Sequence, residues 1–83
     1  MNLPENTNAI NESLLRAIRF FTSCQRYSKA LEVINRFLSR EKNTEKISVL
    51  DVYICKATVH KDLGEYDNAC DAYNHYLCTY NKY

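Results

Sequence analysis

One glycine, Gly64, and one proline, Pro4, are all the chain has of the two strongest turn formers in 83 residues. An all-β fold needs many tight turns, and Gly and Pro are the residues that make them without strain. Their scarcity excludes that class and leaves helix as the default. Charge of one sign is lacking too: eleven Lys/Arg against ten Asp/Glu leave a net +1. That balance gives no general attraction to nucleic acid or to acidic membranes. A basic strip of Arg16, Arg19, Arg26 and Lys29 lacks the aromatic stacking motifs of a nucleic-acid binder, so none is expected to bind. No apolar run approaches the roughly 18 residues that span a bilayer. The first residues show no basic run followed by an apolar block, so no secretory signal is visible and a cytoplasmic chain is the expectation.

The four cysteines, Cys24, Cys55, Cys70 and Cys78, contain no Cys-x-x-Cys pair and no zinc-type spacing with His. They are expected to pack as small apolar residues in the core or at helix contacts, with a disulfide or a metal site as the alternatives. His60 and His75 have no Ser, Cys or carboxylate partner at a recognisable spacing, and a chain with one glycine has no phosphate-cradling loop. No enzyme activity, no cofactor and no metal are expected, and both histidines read as surface or packing residues.

The apolar spacing is helical throughout. Ile10, Leu14, Ala17, Ile18 and Phe21 follow the i, i+3, i+4 pattern of one helix face, over about residues 8–23. Cys24-Gln25-Arg26-Tyr27 interrupts that pattern, and Ser28 is the expected N-cap of a second helix with Ala30, Leu31, Ile34, Phe37 and Leu38 on its apolar face. A polar link follows at Glu41-Lys42-Asn43-Thr44, with Thr44 or Asn43 as the cap of a third helix. That helix presents Ile47, Leu50, Tyr53, Ile54, Ala57 and His60 along one broad side and ends at Gly64, since glycine reaches the left-handed conformation freely. Asp67 is the expected cap of a fourth helix with a stripe of Ala69, Cys70, Tyr73, Tyr76, Leu77 and Tyr80.

The chain repeats itself. Residues 26–34 laid over residues 65–73 set Tyr27 on Tyr66, Ala30 on Ala69 and Ile34 on Tyr73, an offset of 39. The segment Leu63-Gly64-Glu65-Tyr66-Asp67-Asn68-Ala69-Cys70-Asp71-Ala72-Tyr73 resembles the inter-helix turn and second helix of a tetratricopeptide repeat. Gly64 falls at that family's turn glycine, Tyr66 at its turn aromatic, Ala69 at the small residue where helices cross, Tyr53 at its bulky aromatic and Ala57 at its other small residue. In the first copy Tyr27, Ala30, Ile34, Phe37 and Leu14 match, but Gln25 stands for the turn glycine and Ile18 for the small crossing residue. The offset exceeds the family's roughly 34 residues, which predicts a stretched link or longer helices around residues 39–44. Tyr76 also stands where a small residue is usual. The resemblance covers about residues 11–80 and implies an all-α fold: four antiparallel helices in two hairpin repeats, a short α-solenoid, as one domain (about 8–40 and 44–81).

What the resemblance implies about function is protein binding. Solenoids bury each unit against its neighbours, and about three units are normally needed for stability. Two units without a polar cap leave Tyr73, Tyr76, Leu77 and Tyr80 where a third would dock. Burying four such side chains contributes on the order of 6–12 kcal/mol as an upper bound, comparable to the whole stability of a small domain. Closure of a compact bundle, self-association and docking of a different chain would each cover them; docking of a different chain is the expectation. Carried over from the family, the groove lining is Leu15, Arg19 and Thr22 from the first repeat and Ile54, Thr58 and Lys61 from the second. Leu15 and Arg19 replace the Lys and Asn of a carboxylate clamp, so an amphipathic helix suits the groove better than an acidic tail. Very small free-standing members of the family look most like type III secretion needle-subunit chaperones, which hold the apolar helix of the needle protein together with a small helical co-chaperone. The expectation is therefore a cytoplasmic chaperone or adaptor in a hetero-oligomer; a self-associating scaffold is the alternative.

Overall fold

The computed structural model describes residues 6–40 and 46–82. They form four helices, and no strand occurs among the described residues: α1 (Asn6–Ser23), α2 (Tyr27–Leu38), α3 (Lys46–Asp62) and α4 (Tyr66–Lys82). The fold is all-α, as its spacing predicts. The expected caps are corrected in two places. Helix α2 begins at Tyr27, one residue before Ser28, and its N-cap is Arg26, which makes no side-chain capping bond. Helix α4 begins at Tyr66, so Asp67 lies inside the first turn, where its charge still faces the positive end of the helix. The caps expected at Asn43 and Thr44 lie outside the described residues.

Each hairpin is closed by the same turn. The Cys24, Gln25 and Arg26 amides donate to the Phe20, Thr22 and Phe21 carbonyls at 3.0, 3.1 and 2.8 Å. In the second hairpin the Leu63, Gly64 and Glu65 amides donate to the Val59, Lys61 and His60 carbonyls at 3.0, 3.0 and 2.8 Å. Every partner is shifted by the same 39 positions, from Gln25 to Gly64. Both turns are Schellman motifs, which satisfy the carbonyls that a helix end leaves open. The motif demands a left-handed residue: Gly64 has φ 80° and Gln25 has φ 63°. Glycine adopts that conformation freely, whereas a side-chain residue there costs about 1–2 kcal/mol. The absence of the turn glycine in the first copy therefore strains the turn without changing it.

The core sits where three helices meet. Ile18 of α1, Ile34 and Phe37 of α2 and Val52 of α3 are fully buried in one cluster, flanked by Leu14, Leu15, Leu31, Leu38, Val49 and Cys55. Ile18, in place of a small crossing residue, is absorbed completely. Small residues line the other contacts: Ala30, Ala57, Ala69 and Ala72 are all buried, as close approach of helices requires. Helix α3 touches α1, α2 and α4, whereas α4 rests on α3 and on no other described helix. The result is a slab of 47 × 30 × 15 Å with a radius of gyration of 13.0 Å. A compact globule of this length would have about 12 Å.

Because α3 is central, its apolar side is not one stripe. Val52 and Val59 are fully buried beside Ala57, and His60 is nearly so, while Ile54 is on the surface. The single broad side expected through Ile47, Leu50, Tyr53, Ile54, Ala57 and His60 is thus corrected: a helix packed on opposite sides buries residues all round.

Candidate functional site

Two surfaces of the fold carry the residues singled out from the sequence. The first is the side formed by α1 and α3. Leu15, Arg19 and Thr22 follow a 4-3 spacing along α1, and Ile54, Thr58 and Lys61 repeat it along α3. Leu15 is half-buried against the core, Arg19 and Lys61 are exposed, Thr22 and Thr58 are half-buried, and Ile54 is exposed. Arg19 does not stand alone: its guanidinium donates to Asp51 Oδ2 of α3 at 2.7 Å, an ion pair on the open surface. The Thr22 hydroxyl donates to the Ile18 carbonyl at 2.7 Å, so its proton is already committed. Across this side the chain makes that Arg19–Asp51 pair, so the positive charge expected there is partly neutralised.

The second surface is α4. Its apolar half-circle divides in two. Ala69 and Ala72 are buried against α3, with Tyr76 and Thr79 half-buried in the same direction. Tyr66, Cys70, Tyr73 and Leu77 follow a 4-3-4 spacing on a strip turned about 100° from that face at 3.6 residues per turn. This strip stays exposed: Tyr66 65%, Tyr73 41% and Leu77 55%. Tyr80, also exposed, stacks on Tyr76 with ring centroids 6.3 Å apart. The sequence-predicted stripe on α4 thus separates into a part that joins the fold and a part that does not. Tyr76 belongs mainly to the first part.

Sequence spacing does not reveal several contacts within and between the hairpins. Tyr27 of α2 donates its hydroxyl to Asp62 Oδ2, at the end of α3, at 2.9 Å. That carboxylate, as bond acceptor and as a charge, pushes the Tyr27 phenol above its ordinary pKa, with a further contribution from desolvation. Nearly buried His60 places Nδ1 2.7 Å from Glu65 Oε1, across the second turn. His75, exposed on α4, stacks on Tyr53 of α3 at 5.3 Å. Arg40 reaches back to α1 through a 3.1 Å bond from Nε to Asn11 Oδ1.

The cysteines correct an expectation. Cys24, Cys70 and Cys78 are exposed free thiols, and Cys55 alone is half-buried. Burial pushes the Cys55 thiol up, Asp51 adds to the rise, and Arg19 opposes it. Among the described residues no three His, Cys, Asp or Glu side chains converge in a way that could hold a metal ion, and no helix is long and apolar enough to cross a membrane.

The residues singled out from the sequence thus fall on two surfaces, one on α1 and α3 and an aromatic strip on α4. No family model matches the chain, and neither a curated protein nor a solved structure does.

Proposed function

We propose that the chain is a tetratricopeptide-like chaperone or adaptor that holds an amphipathic helical segment of another protein. The observation that carries this reading is the exposed strip of Tyr66, Tyr73 and Leu77 on α4, which rests on one other described helix. Exposed apolar strips of this kind, rimmed by polar residues such as Asp67 and Asn74, are the usual mark of an interaction surface. Tyr is favoured there because it combines a large apolar body with a polar tip. Exposed Ile54 on α3 and half-buried Leu15 on α1 are further apolar positions for the face of a helix. A needle-subunit chaperone of type III secretion, working with a small co-chaperone in the cytoplasm, is the finer form of this proposal; helix content supports it.

The test is capture of tagged chain from its native cell, followed by sedimentation of what co-purifies. A holder of helices yields one stoichiometric protein partner in a 1:1 or 1:1:1 complex. Leu15→Glu with Ile54→Glu, or Leu77→Asp, removes that partner while the helical circular dichroism persists. A chain that sediments alone as a monomer under every condition overturns the reading, and one that assembles only with itself favours the scaffold alternative.

A further inference from the structure

The contact between the two hairpins has two sides, and the chain presents an exposed counterpart of each. One side is Tyr27, Leu31, Ile34 and Leu38 of α2. Ile34 is fully buried, Leu31 and Leu38 are half-buried in the same cluster, and Tyr27 donates to Asp62 of α3. The offset of 39 carries these residues onto Tyr66, Cys70, Tyr73 and Leu77 of α4, all of them exposed. The two turns match bond for bond at that offset, so the two strips hold equivalent places in their hairpins. The other side is α3, whose Val49 packs on the core and whose Val59 is fully buried. The same offset carries Val49 and Val59 onto Ile10 and Phe20 of α1, which are 43% and 59% exposed. Among the described residues these two are the exposed large apolar side chains of α1.

From this correspondence we infer that the chain associates with itself head to tail: α1 of a second copy lies on the α4 strip as α3 lies on α2. Charge favours that order. Residues 1–43 carry seven Lys/Arg against four Asp/Glu, and residues 44–83 carry four against six. The positive hairpin of one copy therefore meets the negative hairpin of the next.

Polar groups on α1 also find partners. In the register that brings Tyr27 to Asp62, Tyr66 comes level with Ser23 of the second copy and Tyr73 with its Arg16. The Ser23 hydroxyl donates to the Arg19 and Phe20 carbonyls, which leaves its oxygen to accept from Tyr66. Arg16 has a side chain 78% exposed and 4.0 Å from Glu12. Its guanidinium lies against the Tyr73 ring and keeps its charge at the rim of the contact. Ser13 stands where α3 has fully buried Val52, so the stack buries less apolar area than the contact inside the chain and reverses on dilution. The join sets one face against a different one, so it extends by further copies instead of closing as a pair. Stacking goes beyond the holding function proposed above and adds a control on it, since a partner helix at the strip has to displace the second copy.

Sedimentation equilibrium of the full chain on its own tests this, with circular dichroism as the check on folding. The average mass rises with concentration up to about 1 mM and passes that of a dimer. Ile10→Ser with Phe20→Ser spoils the α1 face, Leu77→Asp spoils the α4 strip, and each weakens association by about tenfold or more. Mixed in equal amounts, the two variants associate again but stop at a 1:1 pair, because each keeps one intact face. A wild-type chain that stays monomeric throughout overturns the inference, and so does a mixture of the variants that fails to pair. A closed dimer that Leu77→Asp abolishes and the double serine variant leaves intact overturns it as well, since α4 then meets α4. No partner enters these measurements, so their failure leaves the holding function standing, and a chain that stacks but captures no other protein refutes the holding function alone.

Discussion

The first and second hairpins are built from the same turn and the same helix order, yet they end in opposite conditions. Helix α2 is held between α1 and α3, and its Ile34 and Phe37 are fully buried. Among the described helices α4 has α3 on one side only, and the equivalent of Ile34, Tyr73, is 41% exposed. The equivalent of Phe37 is half-buried Tyr76. Identity of local structure therefore says nothing about burial; the next helix along decides it. The residues follow that difference: aliphatic side chains fill the covered strip on α2, and tyrosines, which tolerate water at the hydroxyl, stand on the uncovered strip of α4.

Truncating the two strips is the strongest way to break this comparison. Ile34→Ala is expected to destabilise the chain by about 2–5 kcal/mol through a core cavity. Tyr73→Ala in the lone chain should cost under about 1 kcal/mol, since no packed core surrounds it. Urea titrations of both variants read the difference directly, and equal losses would mean that the α4 strip is covered. The turns give the next largest effect. Gln25→Gly should stabilise by about 1 kcal/mol by relieving the left-handed side-chain residue, whereas Gly64→Ala should destabilise by about the same amount. Thermal melts that move both variants the same way would show that the two turns are not equivalent.

The smallest effect appears in base. Tyr27 and Cys55 both have raised pKa values in the fold, Tyr27 chiefly through its bond to Asp62 and Cys55 chiefly through burial. The folded chain then keeps protons that the unfolded chain loses first. Their contribution to stability is complete below the ordinary thiol and phenol range and is lost as pH rises through the shifted values. Stability should therefore decline in alkali, and Tyr27→Phe should flatten the phenol part of that decline. Timed alkylation separates the thiols in the same way, with Cys24, Cys70 and Cys78 reacting ahead of Cys55.

Where the fully buried residues of a helix share one face, the apolar spacing displays that face. Ala30, Ile34 and Phe37 of α2 can be picked out in this way, and all three are fully buried. Helix α3 defeats the same reading, because it is packed on several sides and buries Val52 and Val59 off the expected stripe. Within α4 the spacing shows which residues are apolar, but only the helix pairing shows that Ala69 and Ala72 go inward while Leu77 stays out. Cysteine is ambiguous for a similar reason: it is small enough for either place, and Cys70 and Cys78 lie outside. Long-range polar contacts such as Arg19 with Asp51 and Tyr27 with Asp62 leave no local trace, since their partners are brought together only by hairpin stacking. Gln25 shows that a Schellman turn forms without its glycine when the surrounding helices already set the geometry.

A helix supported on one flank is also the first to open. With α3 as its only described neighbour, α4 should exchange its amide protons sooner than α2 and offer proteases their earliest cut. Any ligand that seats itself along that helix slows both processes by mass action. The lifetime of the unoccupied chain would then be shorter than that of the occupied one, and its steady-state amount would follow the supply of any such ligand.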